Sequence, residues 1–427
     1  MDTASQLHGN RTIVKSLPSA TMVNQSSLMP VRVMYSFPNK LGAGRICWTA
    51  WQQVLGLVNA GANPTVIAAS TLSTPPGSVR LVKSLCIGCL RIPFRLIGAR
   101  RALLLHDWIA ARWLDRHAAE IDIVHVWPLG ALRTIRAAKK HNIPTVLERP
   151  NTHTEFAYQT VEEECSRIGV TMPKGFEHKF DASILTHEIK EYSESDYLLC
   201  PSDFVKKTFI ERNFPDEKLL RHQYGYDDKL HWPGRQGIDS NAGLVMIYAG
   251  LCTPRKGLHH ALQAWLASDA CRNGRFLICG EFMPGYRQKL SEMLGNSSVE
   301  VLGHCNNLPE LMRQADIFVL PTVEEGSALV TYEARGSGCV LVVSDASGAV
   351  CSHMYDGLVH EARDVNLLTS HINLLERDRQ LLARLRQASL SSLNQLTWSA
   401  AGNRLLEIYG KIISAHRNAD SSGQLNR

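Results

Sequence analysis

The sequence predicts two α/β domains, each a doubly wound parallel sheet, facing one another across a cleft. Three observations predict this. Short apolar runs alternate with longer amphipathic ones along nearly the whole chain, which is the order of strands and their covering helices. The alternation is interrupted at 233–243, where three glycines and a proline mark a linker, and it resumes on the far side in the same form. The chain has 427 residues, 44% hydrophobic and 20% charged, enough to bury two or three cores.

The elements follow in order. Residues 1–29 are polar, hold Arg11 and Lys15, and lack the apolar core of a secretory signal, so they read as a disordered extension. A strand at 31–35 opens the first domain, followed by a loop at 38–45, a helix at 46–59 and a strand at 64–69. Strands at 121–126 and 144–147 flank a helix at 132–141, and a strand at 197–200 leads into a helix at 204–212. The second domain repeats this order with strands at 244–249, 276–279, 299–302, 317–320 and 340–344, and helices such as 258–268 and 307–313 between them. The expected boundaries are 30–232 for the first domain, 233–243 for the linker and 244–400 for the second domain. A closing helix at 401–416 packs back onto the first domain, and 417–427 is a disordered tail.

Composition excludes several function classes. No apolar run reaches the about 20 residues that span a bilayer. Eleven cysteines are scattered without a framework, some in apolar runs such as those of Cys279 and Cys339, which suits a reducing cytoplasm. Cys86 and Cys89 have metal-like spacing but no second pair, and read as apolar core. His259 and His260 are neighbours at a helix start, which would turn them to different faces, so no metal is assigned.

The net charge of +6 hides an asymmetry. From Thr3 to His106 there is no acidic residue, against eleven Lys or Arg. The densest part, 80–101, interleaves Arg80, Lys83, Arg91, Arg95, Arg100 and Arg101 with apolar residues. Two readings fit it: peripheral contact with an anionic membrane, or a solvated face beside a core stripe. No nucleic-acid motif accompanies it, and no nucleic-acid partner is expected.

In doubly wound sheets, ligands bind at the loops that follow strands, where helix N-termini offer unpaired N–H groups. Three such loops stand out. The loop 321–328 carries Glu325, Gly326, Ser327 and Ala328, with Ser327 as the expected N-cap of a helix to Arg335, and Glu333 lies two turns inside it. Amides of Gly326, Ser327 and Ala328 could hold a diphosphate or sugar hydroxyls, and a carboxylate can accept from ribose or sugar hydroxyls. The loop 249–257 carries Arg255 and Lys256. The loop 37–45 carries Gly42 and Gly44, whose lack of side chains permits close approach of a phosphate.

These motifs resemble the signature of retaining glycosyltransferase family 4, which has the two-domain GT-B fold. That signature is a glutamate, seven residues and a second glutamate, then a glycine turn and an apolar strand. Here it is Glu325, Glu333, Gly338 and 340–344. The resemblance implies that Glu325 lies by the donor sugar, that Glu333 binds the nucleotide ribose, and that Lys256 is the phosphate clamp. Two departures are present: Leu251 replaces the family's usual clamp arginine, with Arg255 as a candidate substitute, and Ser327-Ala328 replaces Phe-Gly. The family also places a histidine from the loop after the strand at 144–147 against the donor sugar, which maps to His153. Tyr224 to Asp227, followed by Trp232, resembles the domain exit, and the likeness extends over roughly 30–415.

The resemblance implies a retaining transfer from a nucleotide diphosphate sugar to a glycan or lipid-linked acceptor, in polysaccharide or glycolipid synthesis. The cysteine pattern suits a cytoplasmic enzyme and the basic stretch suits peripheral contact at the inner membrane face; the nucleotide sugar is the co-substrate, and no metal or other cofactor is expected. Two alternatives share the residues: an epimerase or hydrolase of nucleotide sugars, and a catalytically silent nucleotide-sugar-binding subunit.

Overall fold

The computed structural model describes residues 30–87, 90–92, 97–234 and 243–425. The expected extension 1–29, most of the linker 233–243, Cys89 and Arg95 lie outside the described residues.

The first half holds β1 (Arg32–Leu41), β2 (Asn63–Thr71) and β3 (Arg80–Lys83), then the two-residue strands β4 (Cys86–Ile87) and β5 (Leu90–Arg91) of a separate hairpin. Next come β6 (Ile123–Val126), β7 (Thr145–Glu148), β8 (Tyr197–Cys200) and β9 (Leu219–Arg221). Seven of these form one parallel sheet in the order β3-β2-β1-β6-β7-β8-β9. Strands such as β6 and β7 are buried at every position, as expected of a parallel sheet covered by helices on both faces.

The second half holds β10 (Val245–Ala249), β11 (Arg275–Cys279), β12 (Val299–Gly303), β13 (Ile317–Leu320), β14 (Val340–Ser344) and β15 (Gly357–His360), in the order β12-β11-β10-β13-β14-β15. In each sheet the winding direction reverses once, between β1 and β6 and between β10 and β13. Loops leaving the strands on either side of such a reversal part company and leave a crevice at the carboxyl edge. Topology therefore singles out the segments after β1, β6, β10 and β13.

The structure changes several boundaries. β1 runs on to Leu41 through a register shift between Phe37 and Lys40, so the expected loop 38–45 shrinks to 42–45. The basic stretch begins as edge strand β3, where Arg80 pairs with Glu120 at 2.9 Å and stacks on Trp113. β3, β9 and β15, short strands at sheet edges, were not expected from the sequence.

The chain crosses between the halves twice, and the crossings touch. Tyr226 bridges Thr397, and a Cβ on Gly225 would lie 2.5 Å from the Thr397 carbonyl carbon, so only glycine fits there. The closing helix then runs Trp398–Leu425, longer than the expected 401–416 and replacing the tail expected from 417. It lies against the helix Ile46–Asn59 at a glycine pair, where a Cβ on Gly56 would sit 2.9 Å from the Gly402 Cα. Arg417 reaches Asp122 at 3.2 Å, which ties the supposed tail to the first sheet.

A buried polar contact joins the halves. Glu164, on the helix Thr154–Ile168, receives both His259 Nε2 and His260 Nε2 on one carboxylate oxygen at 2.8 Å, and Arg363 Nε on the other at 2.6 Å. Burial raises the Glu164 pKa, but these donors outweigh burial and hold it well below the usual carboxylate range. The expectation that neighbouring histidines cannot converge is therefore corrected: the two rings, 3.8 Å apart, meet at one atom. The ligand atoms of Glu164, His259 and His260 lie within 4.8 Å of one another, close enough that the three could hold a metal ion.

Candidate active site

The loops after β10 and β13 are zipped together. Thr322 Oγ1 and the Val323 amide both donate to the Arg255 carbonyl, at 2.8 and 2.9 Å. A Cβ on Gly257 would stand 1.9 Å from the Pro321 carbonyl oxygen, so a glycine in the left-handed region is required for the loops to touch. This contact sets Arg255 and Lys256 against Glu324 and Glu325.

The result is a compact array of charges. Arg255 Nη2 donates to Glu325 at 2.9 Å and Arg255 Nε to Glu324 at 2.5 Å, while Lys256 Nζ pairs with the other Glu325 oxygen. Glu324 is fully buried and also accepts from Thr152 Oγ1 at 2.6 Å, with His178 Nε2 at 3.5 Å. Burial raises the Glu324 pKa, but Arg255, His178 and Thr152 together hold it well below the usual range. Burial, and then the adjacent Arg255, lowers the Lys256 ammonium to about 7.

Lys256, Arg255, Glu325, Ser327, Ala328 and Glu333 all line one cleft of about 630 Å³, which Arg45, Ile46 and Thr49 of the first half also line. Glu333 is part exposed, has no side-chain partner among the described residues, and is pushed up to about 7 by burial. Leu251 lines the cleft, and its carbonyl accepts from Tyr248.

Four expected details differ. The helix after β13 is Leu329–Gly336 with Ala328 at its N-cap, so Ser327 is not the cap. Its hydroxyl bonds instead to the Gly348 carbonyl and to Tyr332. The Ala328 amide is used by the Ser347 carbonyl, whereas Gly326 and Ser327 have amides without a partner among the described residues. Gly326 makes room for protein rather than ligand, since a Cβ there would fall 1.7 Å from the Pro150 carbonyl oxygen of the first half. Gly42 and Gly44 stand back from the cleft wall, which is lined instead by Arg45 of the same loop and Ile46 at the start of the next helix.

His153 does not reach the cleft. It caps the helix Thr154–Ile168, with Nδ1 accepting from the Glu155 amide at 3.2 Å, and packs against Tyr192 and Phe209. Burial, aided by Arg149 and Arg212, lowers it to about 3, so the ring is a neutral structural cap. Sequence reasoning missed Glu324 and His178. A second acid beside Glu325 was a visible signal for the first, whereas nothing near His178 in sequence marks it.

Comparison with known proteins agrees with this architecture. Residues 48–228 match the family model described as Glycosyltransferase Family 4, and 243–378 match that of Glycosyl transferases group 1. The chain is 33% identical over 124 residues to the N,N'-diacetylbacillosaminyl-diphospho-undecaprenol alpha-1,3-N-acetylgalactosaminyltransferase of Campylobacter jejuni, which covers 29% of this chain and 33% of that one. It is 28% identical to the D-inositol 3-phosphate glycosyltransferase of Corynebacterium efficiens over 45% of this chain and 50% of that one. These matches span a third to a half of the relatives' length. Among solved structures, sucrose-phosphate synthase from Thermosynechococcus elongatus superposes with a TM-score of 0.64 at 16% identity, over 91% of this chain and all of that one. Anabaena HepE in complex with UDP gives 0.61 at 13% identity, over 89% of this chain and all of that one.

Proposed function

We propose a reaction for this chain, which belongs to the family-4 type of glycosyltransferase with the two-domain GT-B fold: retaining transfer of a sugar from a nucleotide diphosphate sugar to the hydroxyl of a glycan or lipid-linked acceptor. The observation that carries the proposal is the pair Arg255 and Lys256, held by Glu325 at the seam of a cleft that Glu333 also lines. A second support is the UDP held by the similar Anabaena protein.

In the proposed step, the bond from the anomeric carbon to the diphosphate breaks and the diphosphate takes the electron pair. The acceptor oxygen bonds to that carbon on the same face, and its proton passes to the departing phosphate oxygen. Lys256 and the Ser327 amide, which has no partner among the described residues, stabilise the charge growing on the diphosphate, and are already in place before it forms. Glu325 lies beside the sugar, and Glu333 accepts from the ribose diol. Gly42 and Gly44 act indirectly, by shaping the turn that sets Arg45 and Ile46 at the cleft.

Nucleotide binding tests this. Glu333→Gln is expected to weaken binding of the cognate nucleoside diphosphate by about tenfold or more, from the ~1.5–3 kcal/mol of a hydrogen bond to a charged acceptor. The wild-type carboxyl is raised to about 7, so its anionic form grows as pH rises through that value. Affinity should therefore increase across neutrality in the wild type and stay flat in the Gln variant, as read by calorimetry over UDP, GDP and ADP. Equal affinities and slopes in the two proteins would remove Glu333 from the site. Retention is checked in the product, whose anomeric NMR signal should match the donor's configuration.

No helix among the described residues is long and apolar enough to cross a membrane. The peripheral contact expected of 80–101 is proposed through the exposed Leu90, Arg100 and Arg101, with Trp108 on the same helix as the two arginines. Salt-sensitive co-sedimentation with phosphatidylglycerol vesicles should be seen, and lost in Arg100→Glu/Arg101→Glu. Equal sedimentation with neutral vesicles would count against it.

A further inference from the structure

Beside the seam, within the first half, lies a second cavity of about 310 Å³, at the lower end of the ~300–1,000 Å³ usual for small-molecule sites. It shares Ile46, Pro150, Asn151 and Glu177 with the main cleft, so a molecule seated in it borders the donor site. We propose that this cavity seats a neutral sugar ring of the acceptor and excludes a ring that itself carries a phosphate. The proposal rests on the transfer reaction above and names the substrate class at its other end.

The walls favour a ring with an apolar face. Phe37, Trp127 and Tyr158 line the cavity, with Phe37 and Trp127 edge to face at 5.2 Å. The C–H face of a pyranose can pack on such a surface while its hydroxyls turn outward.

The polar groups favour hydroxyl partners. Asn39 and Asn151, both part exposed, line the cavity, and a carboxamide can donate to one sugar hydroxyl and accept from another.

The charge excludes an anion. Among the described residues that line the cavity, Arg149 is the only Arg or Lys, and Glu188 already neutralises it, while Glu177 adds a second carboxylate. A phosphate entering here would lose its hydration and meet no uncompensated arginine or lysine.

The test is saturation-transfer NMR on the full chain, with methyl glucoside, methyl galactoside, methyl N-acetylglucosaminide and glucose 6-phosphate as probes, and with nucleotide binding followed by thermal shift. At least one neutral glycoside should bind, and glucose 6-phosphate should bind about tenfold more weakly than that glycoside. Ala157→Phe adds a ring at a residue lining the cavity and should abolish the glycoside signal while keeping the nucleotide shift. Ile184→Trp does the same from the helix Ala182–Glu194 and replaces Ala157→Phe if that variant fails to fold. Tighter binding of the phosphorylated sugar overturns the proposal, as does a glycoside signal that survives both variants. Absence of any glycoside signal with the nucleotide shift intact overturns it while leaving the donor site standing. Absence of the nucleotide shift in the wild type overturns the donor reading and this proposal together.

Discussion

Lys256→Met is expected to lower kcat by about 10²–10³-fold, the usual effect of removing one preorganised group that meets developing charge. Methionine keeps most of the side-chain volume, and Glu325 retains its bond from Arg255 at 2.9 Å, so the loop has no reason to unfold. The loss should fall on kcat more than on KM, because the charge that Lys256 meets grows as the diphosphate departs. The wild-type profile should fall as pH rises through about 7, where the buried ammonium loses its proton. Initial rates across pH on a saturating donor decide it. A variant with unchanged kcat and the same alkaline limb would show that the lysine is not the clamp.

Glu325→Gln should be as damaging, for a different reason. The amide can still accept from Arg255, and Arg255 still has Glu324 at 2.5 Å, so that cation stays paired. Lys256 alone loses its charged partner. Burial and Arg255 already lower its pKa, and without Glu325 the ammonium should lose its proton at still lower pH. Turnover at neutral pH should then drop by about 10²-fold or more, with partial recovery on acidification as the lysine regains its proton. Wild-type turnover in this variant, or a loss that does not ease below neutrality, would separate Glu325 from both the sugar and the lysine.

Much of the fold was legible because parallel strands buried on both faces leave continuous apolar runs. β8 and the strands at 317–320 and 340–344 fall where the sequence places them, and the helix Ile46–Asn59 matches at both ends. The parts that were not legible have local causes. β3 and β9 are short, partly exposed edge strands, so their pattern is weak. The closing helix outruns its expected end because its hold on the first half, through Gly402, Tyr409 and Arg417, is a contact between residues hundreds of positions apart.

The candidate site divides in the same way. The sequence marked Lys256, Arg255, Glu325 and Glu333 as candidates, by their place in or after loops that follow strands together with the resemblance to family 4, and the structure sets all four along one cleft. Only the tertiary structure decided what those side chains face. It turned His153 into a neutral helix cap, made Gly326 a seat for Pro150 rather than for a phosphate, and brought Thr152 and His178 to Glu324 from a different domain. The physical reason is that strand and loop positions follow from local periodicity, whereas burial, ion pairing and pKa depend on which distant segment packs against a residue.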